Sequence, residues 1–306
     1  MSVMVTGATG FVGEALCRAL VTKEIAITPV CRSAGPPGCL AIGEIDDATD
    51  WSEALQSRAA VVHLAARVHV MKDTAQDPLA AYRRTNVGGT LNLARQAAAA
   101  GVHRFIFISS VKVHGESTPP GHAFRADDAP APQDPYAVSK MEAEQGLRQL
   151  ATQTGMQVVI IRPPLVYGPG ARANFGALVR AVRRGLPLPF GAIDNRRSLV
   201  ALDNLVDLIV TCMTHPAAAN QTLLISDGQD LSTADLVRAM AQAAGVSVRL
   251  PRLPVWALQA AARLLGKSDL VSRLSGNLQV DISKTRDLLG WVPPVSVHEG
   301  LRRVVG

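Results

Sequence analysis

Two side chains four residues apart carry the sharpest chemical suggestion in the chain: Tyr136 and Lys140, within Tyr136-Ala137-Val138-Ser139-Lys140. On a helix that spacing projects both from one face. A free phenol titrates at about 10 and is a poor base at neutral pH, whereas a neighbouring ammonium stabilises the phenolate and lowers that value. The spacing alone is common. Ser109-Ser110 gives it context, because it closes a strand-like run, and ligands of open α/β sheets lie at strand C-termini. A hydroxyl there can hold the same substrate oxygen that the phenol deprotonates. A third element, Gly7-Ala8-Thr9-Gly10-Phe11-Val12-Gly13, follows the first strand-like run and opens a helical pattern. Glycines in that position let the backbone turn tightly and approach a pyrophosphate at the helix N-terminus. An ordinary tight turn is the plain alternative, and the placement between strand and helix favours the nucleotide reading.

These groups need a scaffold, and the first half supplies one by alternating short β-branched runs with longer helical patterns, as a parallel sheet covered on both faces requires. Buried strands are expected at 3–6, 25–31, 61–64, 105–109 and 158–161. Phe11, Val12, Ala15, Leu16, Ala19 and Leu20 recur at helical spacing and form one apolar stripe. A second helix is expected over 78–100, closed by Gly101, and a third over 135–154, with Asp134 as N-cap, Pro135 in the first turn and Gly155 as stop. From Pro163 to Gly191 the texture turns to proline and glycine, marking a boundary or an active-site loop. Beyond it, helices are expected at 203–214, 233–244, 255–265 and 283–289, with a strand at 222–225.

Composition narrows the class. The 306 residues are about two domains' worth, 48% are hydrophobic and 18% charged, so disorder is excluded as a general description. The net charge of +6 is spread over scattered arginine pairs without aromatic interleaving, which argues against a nucleic-acid surface and leaves small anionic ligands open. Cys17, Cys31, Cys39 and Cys212 form no C-x-x-C pair and no zinc spacing, so reduced thiols and no metal are expected. The strand-like start lacks a basic signal-peptide region, and a cytoplasmic location is expected. The most apolar stretch, 253–265, contains Gln259 and Arg263 and is too short to span a bilayer. It is expected to be a buried or interfacial helix, with no stable membrane insertion.

The glycine motif, the strand-end serine and Tyr-x-x-x-Lys, in that order, resemble the extended short-chain dehydrogenase/reductase superfamily, in its sugar-nucleotide epimerase/dehydratase branch. Further matching pieces are Val62-His63-Leu64-Ala65-Ala66, Thr85-Asn86-Val87-Gly88-Gly89-Thr90, Arg162-Pro163, Val166-Tyr167-Gly168-Pro169-Gly170 and Leu289-Gly290-Trp291. The resemblance implies an α/β fold: a Rossmann-type doubly wound parallel sheet over 1–165, with a returning segment near 196–215, and a smaller C-terminal α/β substrate domain over 166–306. It implies Ser110 as hydroxyl donor, Tyr136 as acid/base and Lys140 as tuner of the phenol and anchor of the nicotinamide ribose. The cofactor would meet Gly7, Thr9, Gly10, Phe11, Val12 and Gly13, then Leu64, Ala65, Ala66, Asn86, Tyr136, Lys140 and Pro163, with Glu44 and Ile45 near adenine. Lys112 and His114 would face the substrate, and Asn174 and Arg196 its diphosphate. A homodimer is also compatible with the family.

Arg32 follows the second strand in Val30-Cys31-Arg32-Ser33, where no acid is present to bond a ribose hydroxyl. Pairing of Arg32 with a 2′-phosphate favours NADP over NAD, although Arg32 could also stack on adenine or face water. Val111 and Lys112 stand where the related dehydratases carry Asp-Glu, and a valine cannot protonate a leaving hydroxyl, so dehydration is disfavoured. Pro164-Leu165 replaces an aromatic-Asn step, and His114 replaces a tyrosine, so the sugar contacts differ from the branch's usual set. Together these favour reduction of a UDP-linked 4-keto-6-deoxyhexose or its amine. The alternatives are a UDP-hexose or hexosamine 4-epimerase and, further off, a hydroxysteroid- or flavonol-type reductase.

Overall fold

Strands β1 (Ser2–Thr6), β2 (Ala26–Cys31), β3 (Leu40–Ala41), β4 (Ala60–His63), β5 (Arg104–Ile108), β6 (Gln157–Arg162) and, after an excursion, β9 (Thr222–Leu224) lie parallel in the order β3-β2-β1-β4-β5-β6-β9. Two shorter strands, β7 (Leu165–Tyr167) and β8 (Leu199–Ala201), pair parallel in a sheet of their own. The structure is a computed structural model that describes residues 1–33, 35–68, 77–171, 173–264 and 268–305.

Side chains alternate along each central strand, and both faces are buried, which is why these runs are apolar throughout. Val3, Val5, Val62, Ile106, Val159 and Ile161 pack on one face with Leu16 and Leu20 of the 11–22 helix and Leu205, Leu208 and Ile209 of the 202–214 helix. Met4, Val61, Phe105, Phe107, Val158 and Ile160 pack on the other with Leu93 and Ala97 of helix Thr90–Ala99 and Leu147 of helix Pro135–Thr154. A third cluster gathers Tyr167, Phe175, Val182, Met240 and Leu301 from helices Ala173–Arg183, Thr233–Ala243 and Val297–Val305 around β7 and β8.

The third expected helix forms over Pro135–Thr154, where the Asp134 carboxylate accepts the Ala137 N–H at 2.7 Å and Gly155 closes the end with φ +72°. The second expected helix is divided: Pro78–Tyr82 is α-helical, Arg83–Gly89 is a π-helix and Thr90–Ala99 is α-helical again. Its glycine serves a close approach, since a Cβ on Gly89 would lie 2.5 Å from the Ile45 side chain. The proline- and glycine-rich stretch holds β7 and the 173–183 helix, whose Phe175, Val179 and Val182 recur at helical spacing on the buried side. The helix expected over 255–265 runs over Val255–Leu264, and Leu265 lies outside the described residues. Expected to be buried or interfacial, it is not buried: Trp256 is 72% and Leu264 89% exposed, because the apolar residues of this short helix occupy more than one face.

The chain end also locks onto the sheet. Trp291 is buried in the first cluster, and its indole N–H donates to the Asp207 carboxylate at 2.8 Å. Trp291→Ala removes both the ring and the bond, and urea unfolding followed by circular dichroism is expected to show a loss of about 3–5 kcal/mol.

Candidate active site

Strand order reverses between β2 and β5 around the β1/β4 pair, and the crevice at the C-terminal ends of β1 and β4 is where an open parallel sheet receives a dinucleotide. Three glycines shape that crevice. Gly7 has φ +66°, and a Cβ there would sit 2.9 Å from the Ala65 backbone nitrogen. On Gly13 it would sit 2.1 Å from the Gly7 carbonyl oxygen. Gly10, which caps the 11–22 helix, offers no side-chain cap, so the helix's first N–H groups are left for an outside acceptor. Thr9 and Gly10 are exposed, with Phe11 and Val12 half-buried beside them. A dinucleotide pyrophosphate fits these N–H groups and this absence of Cβ atoms.

On the β4 side, the Thr6 hydroxyl accepts from the backbone N–H groups of Leu64 and Ala65, both at 3.2 Å, and so donates to His63 Nδ1 at 2.7 Å. The other ring nitrogen of His63 donates to Thr90 Oγ1 at 3.0 Å. Burial, and secondarily the Lys140 charge, pushes this imidazole down to about 3, so it stays neutral. Asn86, 1% exposed, accepts from the Arg67 N–H at 2.8 Å and donates to the Arg67 carbonyl at 3.0 Å and to Ser139 Oγ at 2.9 Å. It fastens the segment after Leu64, Ala65 and Ala66 to the helix that bears Tyr136 and Lys140.

At the adenosine end, the structure brings in an acid that the β2 terminus lacks. Arg32 follows β2, Glu44 follows β3, and because the two strands are parallel both residues emerge at one edge, with Arg32 Nη1 3.6 Å from Glu44 Oε1. Ile45, half-buried, packs against the second core cluster beside it.

Hydrogen bonds assemble the end of the crevice where Ser110, Tyr136 and Lys140 are expected to act. Lys140 Nζ, 2% exposed, donates to the Ile108 carbonyl at 2.8 Å and lies 4.4 Å from the Phe107 ring centroid, which ties the 135–154 helix to the end of β5. Ser110 follows that strand end, and its hydroxyl accepts the Lys112 N–H at 3.2 Å. Lys112 Nζ in turn reaches Asp134 at 2.6 Å and Glu116 at 2.7 Å, joining the turn after Ser110 to the cap that precedes Tyr136. Pro163 enters through its carbonyl, which accepts the Val111 N–H at 3.0 Å. Burial pushes the Tyr136 phenol up, with Asp134 and Tyr82 adding to the rise. Burial pushes Lys140 down to about 7. The expectation that Lys140 lowers the phenol's pKa is therefore not met in the free chain. Its ammonium is engaged with the Ile108 carbonyl, and desolvation disfavours the charged form of both groups.

Beneath the pair is an ionic network that the sequence motifs did not signal. Glu144, fully buried one turn beyond Lys140, accepts two bonds from Arg162 at 2.9 and 2.5 Å, one from Ser109 Oγ at 2.6 Å and one from Arg148 at 2.8 Å. Burial alone would raise its pKa, and the Arg162 and Ser109 bonds more than offset that. His114 belongs to the same network: it is 3% exposed, stacks on Phe124 at 5.3 Å and accepts from Arg162 at 2.7 Å. Expected to face the substrate, it is packed inside, and burial with the Arg162 charge brings it down to about 4. Lys112, expected at the substrate too, is committed to Asp134 and Glu116. Asn174 and Arg196 are both exposed, the latter 3.9 Å from Asp194. Glu144 could have been noticed from its i+4 spacing to Lys140 together with a charged residue ending β6.

Comparison with known proteins shows the family. The chain is 50% identical over 307 residues to a UDP-glucose 4-epimerase of Vibrio cholerae, covering 99% of this chain and 94% of that protein. It is 30% identical over 337 residues to a 2-alkyl-3-oxoalkanoate reductase of Stenotrophomonas maltophilia, covering 99% and 98%. The solved UDP-glucuronic acid 4-epimerase of Bacillus cereus in complex with NAD superposes with a TM-score of 0.78 at 25% identity, over 100% of this chain and 97% of that one. The expectation of a UDP-4-keto-sugar reductase is overturned by the Vibrio relative, whose name is that of an epimerase. Residues 3–226, from β1 through β9, match the NAD dependent epimerase/dehydratase family, and the chain belongs to that family.

Proposed function

We propose that this chain inverts the C4 hydroxyl of a UDP-linked hexose, interconverting UDP-glucose and its C4 epimer without net oxidation. The observation that carries the reading is the 50% identity, along 99% of the chain, to a UDP-glucose 4-epimerase. We further propose that residues 1–165, with the returning segment near 196–215, hold the cofactor and that 166–306 mainly hold the sugar nucleotide, with Asn174 and Arg196 at its diphosphate. Glu44 beside Arg32 supports NAD over the NADP expected from Arg32 alone, because a 2′-phosphate would be set against that carboxylate.

A nicotinamide dinucleotide, which the glycine turn at Gly7, Gly10 and Gly13 and the Asn86 side of the crevice would hold, would supply acceptance and return of a hydride at the sugar C4. Tyr136 accepts the proton of the 4-hydroxyl and gives it back to the same oxygen. Ser110 holds that oxygen by a hydrogen bond through both steps. Lys140, on the same helix, would add positive charge near the phenol only while it keeps its own proton, which burial disfavours. Burial disfavours the phenolate in the free chain, so the phenol becomes an effective base only when further positive charge is present.

Three outcomes test this reading. Purified protein, given UDP-glucose without added dinucleotide, is expected to produce the C4 epimer on sugar-nucleotide chromatography; an absolute requirement for stoichiometric NADPH or NADH defeats the proposal. Tyr136→Phe is expected to lower the turnover number by about 10²–10⁴-fold while leaving the dinucleotide content measured on the purified protein unchanged. Lys140 titrates at about 7 in the folded chain against 10.5 ordinarily, so between those values the unfolded chain holds a proton that the folded chain does not. Folding stability from this group therefore rises with pH across that window, by up to about 1.4 kcal/mol per pH unit. In cofactor-free protein, the stability advantage of Lys140→Met over wild type in urea should accordingly be larger at pH 6 than at pH 9.

A further inference from the structure

The 255–264 helix is turned inside out for a protein in water. Trp256, Ala260, Arg263 and Leu264, at positions i, i+4, i+7 and i+8 of one face, are all exposed, while Ala262 is buried. Leu253, just before the helix, is 43% exposed. Along this part of the sequence the charge has a single sign. Between Asp235 and Asp269 the sequence contains no acidic residue, and Arg249, Arg252 and Arg263 are exposed within that interval. A second strip joins them. The segment ending in Gly191 runs beside residues 249–251, with Leu188 N–H donating to the Arg249 carbonyl at 3.0 Å and Gly191 N–H to the Pro251 carbonyl at 3.1 Å. It carries exposed Arg183, Arg184 and Leu186 to the same neighbourhood. Among the described residues no ion pair joins any of these arginines to a carboxylate.

We propose that this face docks the protein onto a bilayer surface rich in anionic lipid. A tryptophan and leucines framed by unpaired arginines, on a short helix, match the interfacial zone, where rings sit at headgroup depth and guanidinium groups meet phosphates. Insertion across the bilayer is not involved, since no described helix is long and apolar enough to cross one. A second copy of the chain fits this face less well, because its arginines would be brought together without carboxylates to receive them. The surface belongs to the 173–264 part of the chain and uses none of Ser110, Tyr136 or Lys140.

The test is co-sedimentation of the full chain with vesicles of phosphatidylcholine alone or with phosphatidylglycerol added. Trp51 and Trp291 are buried, so of the three tryptophans only Trp256 should change its emission on docking. Expected are binding on the order of tenfold tighter with phosphatidylglycerol, weakening with salt, and a blue shift of tryptophan emission. The pairs Trp256→Ser with Leu264→Ser, and Arg252→Gln with Arg263→Gln, should each lose binding while keeping the wild-type circular dichroism spectrum and melting temperature. The proposal is overturned if wild type does not sediment with either vesicle or if the Trp256/Leu264 pair binds like wild type. It is overturned equally if light scattering shows a wild-type dimer that this pair converts to monomer.

Discussion

A carboxylate with no exposed surface organises the reacting end of this molecule. Glu144 is held by Arg162, Arg148 and the Ser109 hydroxyl, so its helix, the ends of β5 and β6 and the turn after Ser110 share one buried charge. Removing one partner of such a pair costs about 3–5 kcal/mol, because the remaining charge stays buried and unmatched. Lys140 lies one turn before Glu144 and Tyr136 two turns before, so the placement of both side chains on this helix is inherited from this anchor. His114 fits the same logic. Since Arg162 only donates, His114 Nε2 accepts and its proton sits on Nδ1.

The cofactor side obeys a different constraint, which is space. Gly7 and Gly13 sit where any side chain would meet backbone, so the loop after β1 lies directly against the loop after β4. The Thr6 hydroxyl then takes two N–H groups of that second loop, and neutral His63 ties Thr6 to Thr90. Close-packed backbone thus fixes one end of the crevice and a buried ion pair the other.

Much of the fold was legible because it is written locally. Asp134, Pro135 and Gly155 bound their helix through a cap, a first-turn proline and a left-handed stop, none of which depends on the rest of the chain. Glu44 was not legible as a neighbour of Arg32, because that proximity arises from parallel pairing of β2 and β3. Periodicity described an apolar 255–264 helix but not whether anything covers it. The reductase expectation rested on Arg32, Val111, Lys112 and Pro164-Leu165. Those substitutions say which groups a site lacks, and they cannot tell whether a keto sugar leaves or turns over. His114 stands where the family has a tyrosine and Lys112 where dehydratases have an acid, yet Arg162 takes the His114 Nε2, and Asp134 and Glu116 take the Lys112 ammonium.

The wide turn at Arg83–Gly89 has a geometric corollary. A regular α-helix advances 100° per residue, given 3.6 residues per turn, so a π turn amounts to one surplus residue wound into the spiral. Everything before the bulge, including Tyr82 and its edge-on contact with Tyr136 at 6.1 Å, is set a full residue out of phase with the Thr90–Ala99 portion. Excising a single amino acid from this stretch would leave a perfectly ordinary helix whose two ends could no longer both keep their appointments, Tyr82 with Tyr136 at one and Thr90 with His63 at the other.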